Sequence, residues 1–320
     1  MKYHPNSEQL ALGSTIEESL VKLLPLSRLH TSHCEDAATW QSLEEIGVFG
    51  IGVSEDAGGS GLGAVEEALI VMSLGRRLAS PAVFATIGAA PLRNLRSGSP
   101  GGRAAAAYRY GNRGTLVDEP EMPMVLLRDS SGAALYDSRA CRSKPTDNRL
   151  WLASLCDLAE PVDPPLERCN ESQLPRLRLL DAAVLAGIAD TALEASVAYA
   201  QTREQFGRPI GSFQAVKHHC ANMAIAARCA RDQTNFAAVA LDEGRPDAAL
   251  EVEYALLVAG SAALENASLS IQIHGGMGFS DEADPHLFLK RARLLIAIAG
   301  GLEEASRRVA SNPKGRVTCR

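Results

Sequence analysis

The sequence has few aromatic residues, a small net charge and no cysteines at metal-binding spacing. Phe, Trp and Tyr together make up 5% of the 320 residues, and the formal net charge is −6. Such a mild negative charge argues against non-specific binding to nucleic acid or to an anionic membrane. Alanine, leucine and glycine are plentiful, which suits tightly packed helices. The length is sufficient for a sizeable core and about two domains.

Targeting, membrane and metal signals are also missing. No stretch approaches the ~20 apolar residues that span a bilayer, and residues 1–20 lack the apolar core of a signal peptide. The seven cysteines are scattered without a CxxC pair, so we expect reduced thiols and a cytoplasmic protein. His218 and His219 are adjacent and point about 100° apart on a helix, so we expect no metal site there.

The first part of the chain has the apolar spacing of helices. The pattern predicts helices over 14–31, from about Glu35 to Ile46, over 64–79 and over 81–95. Gly47 is expected to end the second of these. The segment that follows, up to Gly63, is too rich in glycine for regular structure, and its glycines match no nucleotide-binding fingerprint.

The middle of the chain changes pattern. Short runs typical of strands, separated by turns such as 129–132, occur at Ala105–Tyr110, Met124–Leu127 and Leu150–Ser154. The proline-rich segment 161–175 is predicted to be a linker, and helical patterns follow over 177–202, 212–243 and 247–273. The predicted fold is mainly α with a small central β domain. We assign a helical domain to 1–96, a reduced β domain to 97–165 and a helical bundle to 166–320.

The most informative stretch is the corner between two long helices of the predicted bundle. The first helix is expected to end at Gly207, and Pro209 cannot continue it. Ser212 is expected to cap the second helix. The corner carries Arg203, Gln205, Phe206 and Gln214. A cation, two amides and an aromatic ring at one corner suit a flat ligand that bears a phosphate.

Two segments resemble the acyl-CoA dehydrogenases, a family of FAD-dependent flavoproteins. Residues 203–214 resemble the family's Arg-x-Gln-Phe-Gly-x-Pro-Ile-x-x-Phe-Gln signature, and residues 272–279 resemble its Gln-x-x-Gly-Gly-x-Gly-Phe loop. By itself the glycine pair of the loop marks only a helix end, but its order after the first motif strengthens the resemblance. The resemblance implies that Arg203, Gln205, Phe206 and Gln214 contact the FAD of a neighbouring subunit. The full set of FAD-binding residues that it implies is Arg203, Gln205, Phe206, Ile210, Gln214, Gln272, Gly275 and Gly276.

The resemblance also implies a reaction, the α,β-dehydrogenation of an acyl-CoA thioester, in which a Glu removes the α proton. Relatives carry this Glu at one of two places, which correspond to Ala299 and Leu177, and neither side chain can accept a proton. A threonine of the family that bonds the flavin corresponds to Gly301. Asp181, one helical turn beyond Leu177, is a weak candidate for a displaced base, since a mid-helix Asp is more often ion-paired, here with Arg178 nearby.

Two further departures concern carboxylates and the β domain. Glu303 and Glu304, one turn past the vacant base position, are expected to be surface charges. The family's flavin-binding segments in the β domain are absent, and Glu119-Pro120 is too small a match to replace them. We therefore do not expect this subunit to hold the flavin ring unaided.

Some acyl-CoA dehydrogenases are heterotetramers in which one kind of subunit has lost the Glu, and these are associated with steroid degradation. The chain resembles that base-lacking subunit. The resemblance implies that it completes the FAD site of a homologous partner, that the acyl-CoA is bulky or steroid-derived, and that an electron-transfer flavoprotein accepts the electrons. Two alternatives stay open: a self-sufficient dehydrogenase with a displaced carboxylate, and a non-catalytic scaffold or regulatory protein.

Overall fold

The computed structural model describes residues 4–92, 102–117, 122–130, 132–146 and 152–311. Within these residues the regular structure runs in the order helices, central sheet, helices, with a small two-stranded hairpin inside the second group of helices. The first group contains α1 (Ser7–Leu23), α2 (Ala37–Ile46), α3 (Ala64–Arg76) and α4 (Pro81–Ala89). The last group contains α5 (Leu174–Thr202), α6 (Gln214–Asp242), α7 (Ala248–His274), α8 (Pro285–Ile298) and α9 (Leu302–Ser311).

The first helix lies earlier in the chain than the apolar spacing predicts. It begins at Ser7 because Asn6 and Gln9 form a capping box, in which each side chain accepts a hydrogen bond from the other residue's backbone N–H. It ends at Leu23, and residues 26–30 form a separate short 3-10 helix. The predicted helix over 14–31 is therefore wrong at both ends. Gly47 does end α2, with a left-handed backbone.

The start of α3 depends on a residue far away in sequence. Asp242, the last residue of α6, accepts hydrogen bonds from the backbone N–H groups of Ala64 and Val65, at 2.6 and 3.0 Å. The carboxylate thus binds two of the N–H groups that a helix start leaves without an intrahelical partner. A side chain at Gly63 would collide with it, since a Cβ there would lie 2.7 Å from an oxygen of Asp242.

Seven strands form the central sheet, in the order β5-β6-β2-β1-β3-β4-β7. Strands β1 and β3 are parallel, and the other neighbouring pairs are antiparallel. The strands are β1 (Ala104–Tyr110), β2 (Arg113–Val117), β3 (Met124–Asp129), β4 (Gly132–Asp137), β5 (Ser143–Pro145), β6 (Leu155–Leu158) and β7 (Glu167–Arg168). Small buried alanines of β1 let α4 pack closely, and the Thr86 hydroxyl accepts a hydrogen bond from the Ala104 N–H at 3.0 Å.

Two predictions for the middle of the chain are wrong. The predicted strand Leu150–Ser154 lies partly outside the described residues, and the strand of this region is β6, which begins at Leu155 because it pairs there with β2. The predicted linker 161–175 contains β7, whose two residues pair with β4 at the sheet edge. The predicted turn at 129–132 joins β3 to β4, as the pairing of Asp129 with Gly132 shows.

The core helix α5 packs against α3, α6 and α7. At the crossing with α3 the backbones nearly touch, because a Cβ on Gly187 would lie 2.1 Å from the Met72 carbonyl oxygen and one on Gly75 would lie 2.3 Å from that of Val184. The buried amide of Asn266 on α7 donates to the carbonyls of Ala189 and Met223, which joins three helices of the bundle.

Two helices have the length and composition of membrane spans, contrary to the prediction that no stretch approaches this length. They are Leu174–Thr202 and Ala248–Phe279, and 67% and 56% of their most apolar windows are buried inside the fold. Their apolar character is that of core helices that pack against each other. The predicted class, mainly α with a small central sheet, is confirmed.

Candidate cofactor and active site

The corner after α5 is a small β-hairpin, which the sequence did not predict. Helix α5 ends at Thr202, and residues Glu204–Gln205 (β8) pair with Arg208–Pro209 (β9). Phe206 and Gly207 form the turn between them, both with positive φ, at 55° and 76°. The predicted continuation of α5 to Gly207 is wrong because the chain leaves the helix to form this hairpin.

The start of the next helix also differs from its prediction. Residues Ile210–Ser212 form one 3-10 turn, and α6 begins at Gln214, so Ser212 lies too early to cap it. Its buried hydroxyl has no hydrogen-bond partner among the described residues. The residue at the cap position is Phe213, whose ring contacts Phe206 edge to face and lies 4.2 Å from the guanidinium of Arg208.

The predicted cofactor-binding residues of the corner are open to solvent. Arg203, Gln205 and Gln214 are exposed, and Phe206 is 92% exposed. The fifth predicted residue, Ile210, is half-buried against the small apolar cluster of Ala200, Met223 and Ile273. The corner therefore presents a cation, two amides and a bare aromatic ring on the surface of this chain.

The second motif follows the end of α7. His274 is the last helical residue, and Gly275 takes a φ of 62° that L residues avoid. A Cβ on either Gly275 or Gly276 would meet nothing within 4 Å, so the backbone here faces open space. Gln272 is exposed beside it, and this opening can admit a ligand to the backbone N–H groups.

The structure brings the two motifs together. The ring of Tyr199, near the end of α5, stacks on the ring of His274 with centroids 4.1 Å apart and planes inclined by 23°. Below this stack, Ile273 and Ile210 share one apolar cluster. Corner and glycine loop therefore form a single surface, which we call the corner–loop surface.

Sequence reasoning missed both stacked residues. His274 Nδ1 lies 2.7 Å from the Ser270 carbonyl oxygen and must donate to it, which leaves Nε2 as an acceptor in the neutral ring. Burial lowers the pKa of His274, which favours that neutral form. An available signal was the imidazole inside the second motif, at the end of a long helix.

A cleft of about 530 Å³ lies between the sheet and the turn that joins α8 to α9. Ala299, the first of the two base positions, is in its wall, followed by Gly300 and Gly301 with φ of 95° and 83°. The Tyr110 hydroxyl donates to the Ala297 carbonyl at 3.0 Å and lies 3.3 Å from where a Cβ on Gly301 would be. This contact leaves little room for a side chain such as threonine at position 301.

The second base position lies elsewhere. Leu177 is buried beside a narrow apolar cavity of about 30 Å³, roughly the volume of one water molecule. That cavity and the cleft share Arg128 and Ile298 in their walls. The two positions at which a base was sought are therefore an alanine in a wide cleft and a leucine beside a small cavity whose mostly apolar wall also carries Arg128 and Asp181.

Asp181 is held in an ion pair with a partner that the sequence did not indicate. Both of its oxygens accept hydrogen bonds from Arg128 on β3, at 2.7 and 2.6 Å, whereas Arg178 pairs with Glu253. Burial raises the pKa of Asp181, while the charge of Arg128 opposes that change. The bidentate ion pair holds both oxygens of Asp181 on the guanidinium of Arg128, which disfavours Asp181 as a base for a substrate.

Five arginines line the cleft: Arg109, Arg128, Arg178, Arg307 and Arg308. Two carboxylates of α9 line it as well. Glu303 and Glu304 line its rim and pair with Arg307, and Glu303 is exposed whereas Glu304 is half-buried. Arg308 pairs with Glu253, which also binds Arg178, and thereby joins α9 to α5 and α7. Among the described residues no group of three His, Cys, Asp or Glu side chains has a geometry that could hold a metal ion.

Comparison with known proteins identifies the family. The model for the acyl-CoA dehydrogenase N-terminal domain matches residues 6–100, and the one for the C-terminal domain matches residues 168–312. The acyl-CoA dehydrogenase IpdE2 of Mycobacterium tuberculosis is 30% identical over 290 residues, which cover 86% of this chain and 86% of the relative. The chain belongs to the acyl-CoA dehydrogenase family.

Two further likenesses differ in extent. The acyl-CoA dehydrogenase FadE34 of Mycobacterium tuberculosis is 34% identical over 296 residues, which cover 83% of this chain but only 41% of that relative. The solved ChsE4-ChsE5 complex from Mycobacterium tuberculosis has a chain with a TM-score of 0.76 and 22% identity, covering 98% of this chain and 100% of that one. The second likeness shows the acyl-CoA dehydrogenase fold.

The cofactor of this family is FAD. The residues of this chain fit the pyrophosphate half of FAD better than its flavin half. The open backbone at Gly275 and Gly276 and the exposed Arg203 both belong to the corner–loop surface, and a pyrophosphate binds cations and backbone N–H groups. In the cleft, by contrast, Tyr110 closes on α8 beside Gly301 and the base position holds a methyl group.

Proposed function

We propose that this chain is a subunit of a heteromeric acyl-CoA dehydrogenase, in which it completes the FAD site of a homologous partner that supplies the catalytic Glu. The observation that carries the proposal is the division of the site residues. The corner–loop surface keeps its cation, amides and open glycine backbone, whereas Ala299 and Leu177 stand at the two base positions.

The corner–loop surface would hold the adenosine and pyrophosphate half of FAD. Arg203 would bind phosphate as a permanent cation, and the backbone N–H of Gly276 would add a hydrogen bond, since that of Gly275 donates to the Gln272 carbonyl. Gln205, Gln214 and Gln272 carry both donors and acceptors, and Phe206 and Ile210 offer apolar contact. With Phe206 almost fully exposed, the surface is open on one side, and a second subunit would cover it.

The reaction divides between the two subunits. FAD, when bound, accepts the β hydride of the acyl-CoA thioester. The α proton would go to a carboxylate of the partner, because the Ala299 methyl group cannot take it and Asp181 is held by Arg128 at both oxygens. This chain's own contribution is to fix the cofactor and exclude water from it.

The cleft bears on the size of the substrate. Its volume of about 530 Å³ lies in the range of pockets for drug-sized ligands, roughly 300–1,000 Å³. We infer that it gives space to a bulky acyl group, a steroid-derived one by the sequence resemblance. That the ChsE4-ChsE5 relative is a complex of two differently named chains supports the heteromeric arrangement. A cytoplasmic location and an electron-transfer flavoprotein as acceptor complete the proposal.

Flavin stoichiometry of the purified chain tests this function directly. Expressed alone, the chain should be colourless, aggregated or free of FAD, because it offers only half a site. Co-expressed with a homologous subunit that has the Glu, it should form a yellow heteromer that dehydrogenates an acyl-CoA. A yellow homo-oligomer with activity of its own would instead establish the self-sufficient enzyme.

The self-sufficient alternative makes Asp181 the base, and the change Asp181→Asn separates the two. We expect turnover of the complex to stay within about tenfold of wild type, since loss of a general base costs roughly 10²–10⁴-fold. Thermal stability should fall, because Arg128 loses its charged partner. Asp190→Asn is the matched control, as Asp190 is a buried acid of the same helix paired with Arg231. A loss of several orders of magnitude for Asp181→Asn alone would identify it as the base.

A pure scaffold is the remaining alternative. It is disfavoured because nothing in scaffolding needs the guanidinium of Arg203 free, the glycine backbone open and the Phe206 ring bare at one place.

A further inference from the structure

A histidine from the N-terminal part of the chain is bound to the connection that follows the glycine loop. His30 ends the 3-10 helix after α1. Its Nδ1 lies 2.8 Å from the backbone carbonyl oxygen of Asp281, and its Nε2 lies 2.8 Å from a carboxylate oxygen of Asp284. The side chains of His30 and Asp284 are 25% and 34% exposed. The ring therefore joins two parts of the chain about 250 residues apart in sequence.

Both partners of the ring are acceptors. A backbone carbonyl and a carboxylate can only accept, and a neutral imidazole carries one N–H. Two simultaneous hydrogen bonds therefore require the imidazolium form, with a proton on each nitrogen. Loss of one proton removes one of the two bonds and the charge that attracts Asp284.

The charged groups around His30 do not supply the second N–H that its two acceptors require. On the C-terminal side, Asp281, Glu282 and Asp284 are acids, and Lys290 is a cation of α8 that acts on His286 together with the two aspartates and His30. Burial lowers the pKa of His286, which favours the neutral form of this second imidazole. On the N-terminal side, Arg28 donates to backbone carbonyls at 24, 25, 77 and 78 and pairs with Glu35.

The bound connection occupies a position of functional interest. Residues 280–284 lie between the 3-10 helix Gly275–Phe279, which carries the glycine loop, and α8, whose far end forms the wall of the cleft at Ala299. Its own hydrogen bonds are local: Ser280 N–H to Met277, Glu282 N–H to the Ser280 hydroxyl, Ala283 N–H to Ser280, and Leu287 N–H to Asp284. A clasp at Asp281 and Asp284 therefore restrains the segment that places the glycine loop.

We propose that His30 is a proton-dependent clasp that holds the connection 280–284, and with it the glycine loop, when the imidazole is protonated. The clasp is closed while both ring nitrogens carry a proton, and it loosens when one of these protons is lost. Its link to the cofactor rests on the function proposed above, whereas the clasp itself does not.

Amide hydrogen exchange of the assembled complex tests the clasp, with the N–H groups of Ser280 and Ala283 as probes. Measured at pH about 6 and about 8, on either side of histidine titration, and corrected for the intrinsic pH dependence of exchange, protection in wild type should fall by about tenfold at the higher pH. His30→Ala should be poorly protected at both values. Equal protection in wild type at both values, or unchanged protection in His30→Ala, would overturn the clasp.

Asp284→Asn provides a sharper variant. The asparagine amide can donate to Nε2 of a neutral imidazole while Nδ1–H donates to the Asp281 carbonyl, so both bonds persist without the extra proton. We expect protection in this variant to be nearly the same at both pH values. A pH dependence as large as that of wild type would show that some other group controls the segment.

FAD retention in the same complex reports the link to the cofactor. Wild type should release FAD more readily at the higher pH, and Asp284→Asn should not. If exchange follows the clasp while flavin release is independent of pH, the clasp stands and its link to the cofactor is overturned. If flavin content also ignores Arg203→Ala, the proposed cofactor role of the corner–loop surface fails, and the exchange result remains valid.

Discussion

Arg203→Ala should strip most of the FAD from the assembled enzyme while leaving the chain folded. The guanidinium of Arg203 is exposed and makes no hydrogen bond or ion pair within the described residues, so its removal costs the fold nothing. As a phosphate ligand it would make charge-assisted hydrogen bonds worth about 1.5–3 kcal/mol each. We therefore expect the FAD dissociation constant to rise by about 10- to 100-fold.

Two variants sharpen this experiment. Arg203→Lys keeps the charge but loses the planar fork, and should retain FAD to an intermediate degree. Arg139→Ala removes an arginine that is also exposed but lies beside the central sheet, paired with Asp137, and should leave FAD binding unchanged. Wild-type flavin content in the Arg203→Ala complex would exclude the corner from the cofactor site.

Gly187→Ala should be among the most destabilising single substitutions in the chain. The new methyl carbon would lie 2.1 Å from the Met72 carbonyl oxygen, and a backbone atom cannot rotate out of its way. Helices α3 and α5 would have to separate, at a cost of about 3 kcal/mol or more. The gain of about 1 kcal/mol in helix propensity from glycine to alanine does not offset that cost.

Gly13→Ala is the matched control, because a Cβ there would lie 3.4 Å from the Leu69 Cβ, an ordinary van der Waals contact between α1 and α3. Its melting temperature should stay near or above that of wild type, while that of Gly187→Ala falls by several degrees in a thermal unfolding experiment. Equal melting temperatures for the two variants would mean that α3 and α5 do not approach this closely. The crossing matters for function because α5 positions both Asp181 and the corner.

The sequence was sufficient for the order and type of the main elements. Helices α2, α3, α5, α6 and α7 lie close to their predicted positions because their apolar residues repeat at helical spacing and glycines mark their ends. The strands were harder, since β6 is only four residues long and its start is set by pairing with β2. Periodicity along the chain contains no information about that register.

The sequence predicted which residues belong to the candidate site better than it predicted their arrangement in space. The motif residues at the corner and the glycine loop do lie on one surface. That Ala299 and Leu177 carry no carboxylate can be read directly from the sequence. The hairpin at Phe206 was missed because a left-handed phenylalanine is uncommon and no local pattern favours it. The Arg128 partner of Asp181 was missed because it comes from a strand 53 residues away, beyond any local rule.

The carboxylate of Asp242 has a consequence for how the protein folds during its synthesis. Because it caps α3 from the far end of α6, the first N–H groups of α3 have to wait for most of the chain before they find their partner. A nascent chain that stops short of this residue would contain α3 and α5, but the first N–H groups of α3 would lack the carboxylate that binds them. Domains generally fold in order during synthesis, but here a helix in the first third of the chain is capped by a residue from the last third.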